Sequence, residues 1–368
     1  MLGGISAFVA LILFITAHEA GHYFAAKATG MKVTEFFLGF GPRLWSFKRG
    51  ETTYGIKPIP LGAYVKIVGM SALEDVAPED AGRTYRERPF WMKSVVVLAG
   101  VGANFLIAYL MFAGIALFEG RPFPTTEVAT VVAETDDGPT AAASAGLEPG
   151  DRIVAIDGRP VDEWEDVASA LAARPGESIV IGVERSGQRL ELSAQLGIRG
   201  DPDTGTEIGF LGVGPVVASE PIGPVEAAGI AGVQVGEGVK FTFISFGRLL
   251  QLDTLGQLVA GVMGAEVPDD VRPVSLVGVV QIGSQASEIG VSNFIFLLAA
   301  VNVILGTLNA LPLYPLDGGH FAVALYEKLT GRQADIRKLV PIAVMVIGLI
   351  AVIGLLAILL DIVSPIKL

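Results

Sequence analysis

Long uncharged runs set the pattern of this chain. Leu2 to Ala17 carries no charge and stays apolar towards Ala28, with His18, Glu19 and His22 set into it. Ser94 to Phe118 is also free of charge, and Asn104 is its most polar member. Ile289 to Leu316 is a third such run, in which Pro312 and Pro315 should break the helix near its end. Leu339 to Leu360 lies cleanly between Lys338 and Asp361. Each is long enough to cross a bilayer, which takes roughly 20 residues of helix. The first lacks a basic start and a small-residue cleavage site, so it reads as a retained helix and not as a signal peptide.

Other segments have different periods. Val33 to Val68 contains alternating and β-branched runs punctuated by Gly39, Gly41, Gly50, Gly55, Pro58, Pro60 and Gly62. This predicts short antiparallel strands joined by turns. Its aromatic residues, including Phe36, Phe37, Phe40, Trp45, Phe47, Tyr54 and Tyr64, place the sheet at the membrane interface, packed on the helices. Between Glu119 and Pro221, strand Arg152 to Ile156 runs into the turn Asp157-Gly158. A helix from Glu163 to Ala173 follows, stopped by Pro175-Gly176, and then a hairpin around Ser186-Gly187. Val225 to Val267 is interrupted by Glu237, Lys240, Arg248 and Asp253, which suits helices on the outer membrane face or a linker better than a fifth span.

The expected fold is a polytopic α-helical membrane protein with four transmembrane helices, a membrane-associated β-hairpin segment and an inserted α+β domain. Its parts are a first span at 1–30, a cytoplasmic-side β-rich loop at 31–93 and a second span at 94–118. A soluble extracytoplasmic domain at 119–221 and interfacial helices or linker at 222–288 come next. A third span at 289–326, a cytoplasmic loop at 327–338, a fourth span at 339–361 and a tail at 362–368 complete the chain.

Charge orients these parts. Lys27 to Lys93 holds eleven Lys/Arg against seven Asp/Glu, and Glu327 to Lys338 holds four against two. Glu119 to Glu220 reverses the balance, with seven basic residues against nineteen acidic. Short loops rich in Lys and Arg stay in the cytoplasm, so both termini and the acidic block belong outside. The net charge of −12 argues against a nucleic-acid partner. Only 17% of residues are charged and the mean hydropathy is +0.58, which excludes disordered and fibrous classes and points to the lipid bilayer as part of the surroundings. The absence of cysteine excludes disulfides, thiolate zinc ligands and thiol catalysis.

Within the first apolar run stands His18-Glu19-Ala20-Gly21-His22. Residues four apart share a helix face, so two imidazoles can hold one zinc ion while Glu19 reaches a water. Ionisable groups are costly inside a membrane helix and are usually functional there. The chain has three histidines, and this motif takes two. Catalytic zinc wants three protein ligands and an open position. The third must be His320, an Asp or a Glu, and Asp317 is the carboxylate at the far end of a charge-free run. His18 lies about 24 Å along its helix from Leu2, towards the inner side, where the third span also delivers Asp317.

The strand–helix–hairpin block, with ASAGLEPGDRIVAIDG at Ala143 to Gly158, resembles a PDZ domain of the bacterial protease-associated type. That resemblance implies a groove for an extended peptide or substrate tail. HEAGH in a first span, GFGP and PLGAYV in the loop, the PDZ-like insert and Asn309-x-x-Pro312-x-x-x-Leu316-Asp317-Gly318-Gly319-His320 together resemble the site-2 protease family. These are intramembrane zinc metalloproteases, and the bacterial regulator of sigma-E protease subgroup, with one PDZ domain, is the nearest in pattern. The resemblance implies one zinc ion on His18, His22 and Asp317, with Glu19 as general base. It also implies that Asn309 holds substrate backbone or the oxyanion; polar packing between helices is the alternative for Asn309. His320 is read as a neighbour of the ligands. Implied substrates are transmembrane proteins such as anti-sigma factors, or signal-peptide remnants, in a bacterial inner membrane with the active site towards the cytoplasm. Ala63, Val101 and Leu276-Val277 depart from the usual pattern in the loops and leave the ligands untouched. A peptide-binding scaffold with a vestigial zinc site and a hydrolase of lipids or isoprenoids are the competing classes. The intact motifs oppose the first, and the PDZ-like insert opposes the second.

Overall fold

The computed structural model describes residues 2–70, 74, 76–135, 138–200, 205–265, 267–268 and 271–366. Of the expected tail, residues 367 and 368 lie outside the described residues. Helices α1 (Leu2–Ala28) and α2 (Phe90–Glu119) form from the first two apolar runs. The buried positions of α1 are Gly4, Ala7, Phe14, His18, His22 and Ala26, one stripe at helical spacing. The two histidines therefore face protein, while Leu2, Ile5, Val9, Leu13 and Phe24 point outward.

Between these helices lies a four-stranded sheet of β1 (Val33–Phe40), β2 (Trp45–Arg49), β3 (Thr52–Ile56) and β4 (Ile59–Ile67), in the order β2-β3-β1-β4. The sequence led us to expect antiparallel pairing throughout. Pairs β2–β3 and β1–β4 are antiparallel, but β1–β3 is parallel, with Glu35 opposite Thr53 and Leu38 opposite Ile56. The reason is the hairpin turn at Gly50: two reversals bring β3 back in the direction of β1, and β3, not β2, takes the place beside it. The sheet packs against α1 and α2 through a buried cluster of Ala26, Met31, Val33, Ile67, Tyr85, Val96 and Val97.

Residues 117–222 form a compact unit of their own. It contains β5 (Arg121–Val131), the short pair β6 (Glu134–Thr135) and β7 (Gly138–Pro139), α3 (Ala141–Ala145), β8 (Arg152–Ile156), β9 (Arg159–Pro160) and α4 (Trp164–Ala172). The remaining strands are β10 (Ser178–Arg185), β11 (Gln188–Gln195), β12 (Gly197–Gly200), β13 (Glu207–Phe210) and β14 (Val213–Glu220). The main sheet runs β11-β10-β8-β5-β14. Its tight turns fall on Asp157-Gly158 and Ser186-Gly187, all four at positive φ, the geometry that two-residue hairpin turns require. Arg185 donates to both carboxylate oxygens of the buried Asp151 at 2.6 and 2.7 Å, and this holds the Asp151 carboxyl below its usual range.

The remaining chain forms α5 (Pro224–Leu249), α6 (Leu252–Val262), α7 (Leu276–Ile289), α8 (Val291–Ala310), α9 (Asp317–Thr330) and α10 (Ile336–Val363). Helices α1, α2, α8 and α10 are long and apolar enough to cross a membrane. Helix α8 ends at Ala310, and the two prolines occupy the link to α9, which runs on through Thr330 into the stretch expected as loop. Helix α5 occupies part of the stretch expected as interfacial helices or linker. Its Ala231, Val235 and Val239 pack with Ala108 and Phe112 of α2 and Ala299 and Val303 of α8. Glu237 and Lys240 pair with each other on its exposed side, so the charges do not interrupt the packed face.

Candidate active site

Two helices, α1 and α9, meet at His18, His22 and Asp317. The histidines come from one face of α1. Asp317 comes from the first turn of α9, where a carboxylate also answers the helix dipole. Its placement depends on the two glycines after it. A side-chain carbon on Gly318 would fall 2.0 Å from the Ala310 carbonyl, and one on Gly319 would fall 2.4 Å from the Tyr314 nitrogen. Only glycine lets α9 begin this close to the end of α8.

The three residues are buried, with 6, 3 and 9% exposure. Asp317 Oδ2 lies 3.0 Å from His18 Nε2 and 3.2 Å from His22 Nε2, and the two Nε2 atoms are 3.1 Å apart. A tetrahedral ion with bonds of 2.0–2.1 Å holds its ligands about 3.3 Å apart, close to this triangle. His22 Nδ1 is 2.8 Å from the Val96 carbonyl, which only accepts, so Nδ1 carries the proton and Nε2 presents a lone pair. Asp317 Oδ2 finds no hydrogen-bond donor although it is buried. The His22 Nε2 lone pair and Asp317 Oδ2 thus converge with His18 Nε2 on one point, an arrangement that suits a cation. Among the described residues, this is the one group of three or more His, Asp or Glu placed to hold a metal.

Glu19 stands outside that group. One of its oxygens, Oε2, accepts from the main-chain N–H of Val65 at 3.0 Å. His320 is also outside it, its ring packed against Tyr314 at 4.9 Å and Tyr85 at 6.5 Å between centroids. Asn309 is half-buried on the last turn of α8, one residue before the Ala310 carbonyl that lies against Gly318.

Several contributors carry no sequence signal. The Val96 carbonyl and Val65 N–H are main-chain groups. Gly100 admits the His22 ring, since a side-chain carbon there would lie 2.3 Å from Nε2. Lys93 at the start of α2 bonds Glu327 of α9 at 2.9 Å, tying α9 down ten residues beyond Asp317.

The model of peptidase family M50 matches residues 6–354. The chain belongs to peptidase family M50. It is an intramembrane zinc metalloprotease of the site-2 type. Zinc metalloprotease Rip1 of Mycobacterium tuberculosis is 33% identical over 398 residues, covering 98% of this chain and 97% of the relative. Metalloprotease MmpA of Caulobacter vibrioides is 31% identical over 360 residues, covering 89% of this chain and 87% of the relative. Solved structures match smaller parts. The PDZ domain of an SdrC-like protein from Listeria monocytogenes covers 25% of this chain and 88% of its own, at 22% identity and a TM-score of 0.20. The HtrA-type protease AlgW with a decapeptide covers 20% of this chain and 22% of its own, at 42% identity and a TM-score of 0.17.

Proposed function

We propose that the enzyme cleaves peptide bonds within or beside the transmembrane helices of membrane-protein substrates, using one zinc ion on His18, His22 and Asp317 and Glu19 as general base. The observation that carries this reading is the buried convergence of three ligand atoms, within 4.8 Å of one another, with a carboxylate beside them that is otherwise engaged. When bound, zinc supplies Lewis-acid polarisation of water and of the scissile carbonyl.

The protein's own groups do the rest. The Val96 carbonyl fixes the His22 ring by taking its Nδ1 proton bond, and Lys93–Glu327 anchors the helix that carries Asp317. Glu19 takes a proton from the attacking water and returns it to the departing amine, a role in which a positioned carboxylate contributes about 10²–10⁴-fold. Asn309 supplies amide donors to the substrate backbone near the cleaved bond. The apolar walls of α1, α2 and α8 keep bulk water from the group.

A transmembrane helix hides its carbonyls in its own hydrogen bonds, so the substrate must unwind before attack. The sheet of β1–β4, whose edge strands are β2 and β4, offers the unwound strand a pairing surface. The distribution of Lys and Arg supports an orientation with both termini outside a bacterial inner membrane and the site towards the cytoplasm. The unit at 117–222 receives a peptide or substrate tail and restricts which substrates enter. Anti-sigma factors and signal-peptide remnants are the substrate classes this reading favours. Proteomics of membrane fragments in cells carrying Glu19→Gln tests it: fragments that contain whole transmembrane helices should accumulate relative to wild type, and an unchanged fragment profile would refute a proteolytic role in membranes.

A further inference from the structure

Strand β4 is an edge of its sheet, because β1 is its one neighbour in the order β2-β3-β1-β4. Along an edge strand, alternate N–H groups point away from the sheet and must find partners elsewhere. Val65 stands opposite Phe36 in the β1–β4 register, and its N–H points off the sheet to α1, where Glu19 Oε2 takes it at 3.0 Å. Gly62 lies beside Ile15, one helical turn before Glu19, so β4 runs along α1 over this stretch.

We infer that the main-chain N–H of Val65 is the positioning group of the general base: it holds one oxygen of Glu19, keeps the carboxylate out of the ligand set, and leaves Oε1 as the proton-accepting atom. This rests on the reading of Glu19 as base. Adjacent helical residues diverge by about 100° around the axis, so the histidine face alone does not fix where the Glu19 carboxylate points. A flexible side chain with two free oxygens next to a dication would be drawn to it and become a fourth ligand, closing the open position that catalysis needs. A bond from N–H to a carboxylate is charge-assisted and among the stronger ones. Its donor is held in place, because β4 is laddered to β1 without a break from Glu35–Lys66 to Leu38–Ala63, with Val65 inside that stretch. The sheet thus has a task at the reacting atoms in addition to any pairing with substrate.

The test replaces the residue 65 amide by an ester, using the α-hydroxy analogue of valine in the full-length protein. The side chain stays and only the N–H is lost. The expected result is a kcat lower by about tenfold or more, since the base contributes about 10²–10⁴-fold when placed, with KM within about twofold and zinc per chain unchanged. Val65→Ala, which keeps the N–H, reports what the side chain contributes and should lose distinctly less. An independent readout needs neither metal nor turnover: in the zinc-free protein, Glu19→Ala should speed exchange of the Val65 amide hydrogen by about tenfold or more. An ester protein with full kcat, an equal loss in Val65→Ala, or unaltered Val65 exchange in Glu19→Ala would each overturn the inference. Glu19→Gln in the same assay separates the two failures. If Glu19→Gln is inactive while the ester is fully active, only the positioning role falls; if Glu19→Gln still cuts, Glu19 is not the base and both fall.

Discussion

Gly100→Ala should strip the enzyme of zinc without replacing a ligand. The added methyl would sit 2.3 Å from His22 Nε2 and 2.4 Å from its Cε1. Packed carbon atoms keep about 3.5 Å or more from their neighbours, so one partner must retreat by about 1 Å. The atoms met are those of a side chain, so the ring yields and the helices hold. A metal site tolerates errors of about 0.2 Å, and the ring cannot swing away without giving up its 2.8 Å contact with the Val96 carbonyl. Disturbing such a supporting contact typically costs about 10–100-fold in metal affinity, and displacing the ligand itself should cost at least that. Ala favours a helix over Gly by about 1 kcal/mol, which offsets part of the overpacking cost of about 1–3 kcal/mol, so the fold should survive the change. The assay is zinc per chain in detergent-purified protein across a series of chelator concentrations, alongside thermal unfolding of the zinc-free form. Gly102→Ala is the control, since nothing lies within 4 Å of a side-chain carbon there. Wild-type zinc retention by Gly100→Ala would refute the proposed crowding of His22 and the ligand geometry behind it.

The other expectations are simpler. Deleting Pro124 to Ala218 should leave zinc bound, because all three ligands lie outside that stretch, and should permit cleavage of substrates whose outer domains are intact; loss of zinc or an unaltered substrate range would contradict the gating role. The sequence has no cysteine, so single cysteines at Glu79 and Ser186, both exposed, should label from opposite sides of sealed cells; labelling from one side would overturn the orientation.

Much of the site was legible because its chemistry conflicts with its surroundings. Two histidines and a glutamate in an apolar helix stand out, and the LDG carboxylate stands out at the end of a charge-free run. The helices were legible for a related reason, since only sustained apolar stretches can make them. Pairing was not. The parallel β1–β3 contact depends on where a hairpin lands, and nothing in either strand specifies that. Helix α5 was obscured by Glu237 and Lys240, whose mutual pairing on the exposed side leaves Ala231, Val235 and Val239 free to pack. The Val65 N–H that bonds Glu19 and the Val96 carbonyl that bonds His22 are main-chain groups, so no side chain at those positions signals them. The Lys93–Glu327 bond joins residues 234 positions apart and has no local signature.

Metal content and cleavage measured on the same purified samples of wild type, Glu19→Gln and Asp317→Asn test the central claim most directly. Glu19→Gln should keep about one zinc per chain and lose nearly all proteolysis, because an amide takes no proton from water. Asp317→Asn should lose zinc as well, since a neutral amide oxygen is a poorer ligand for a dication, and His320→Ala should lose far less than either histidine ligand. Full zinc in Asp317→Asn together with zinc loss in His320→Ala would move the third ligand to His320. Zinc loss in Glu19→Gln equal to that of a ligand variant would make Glu19 structural and leave the reaction without its base.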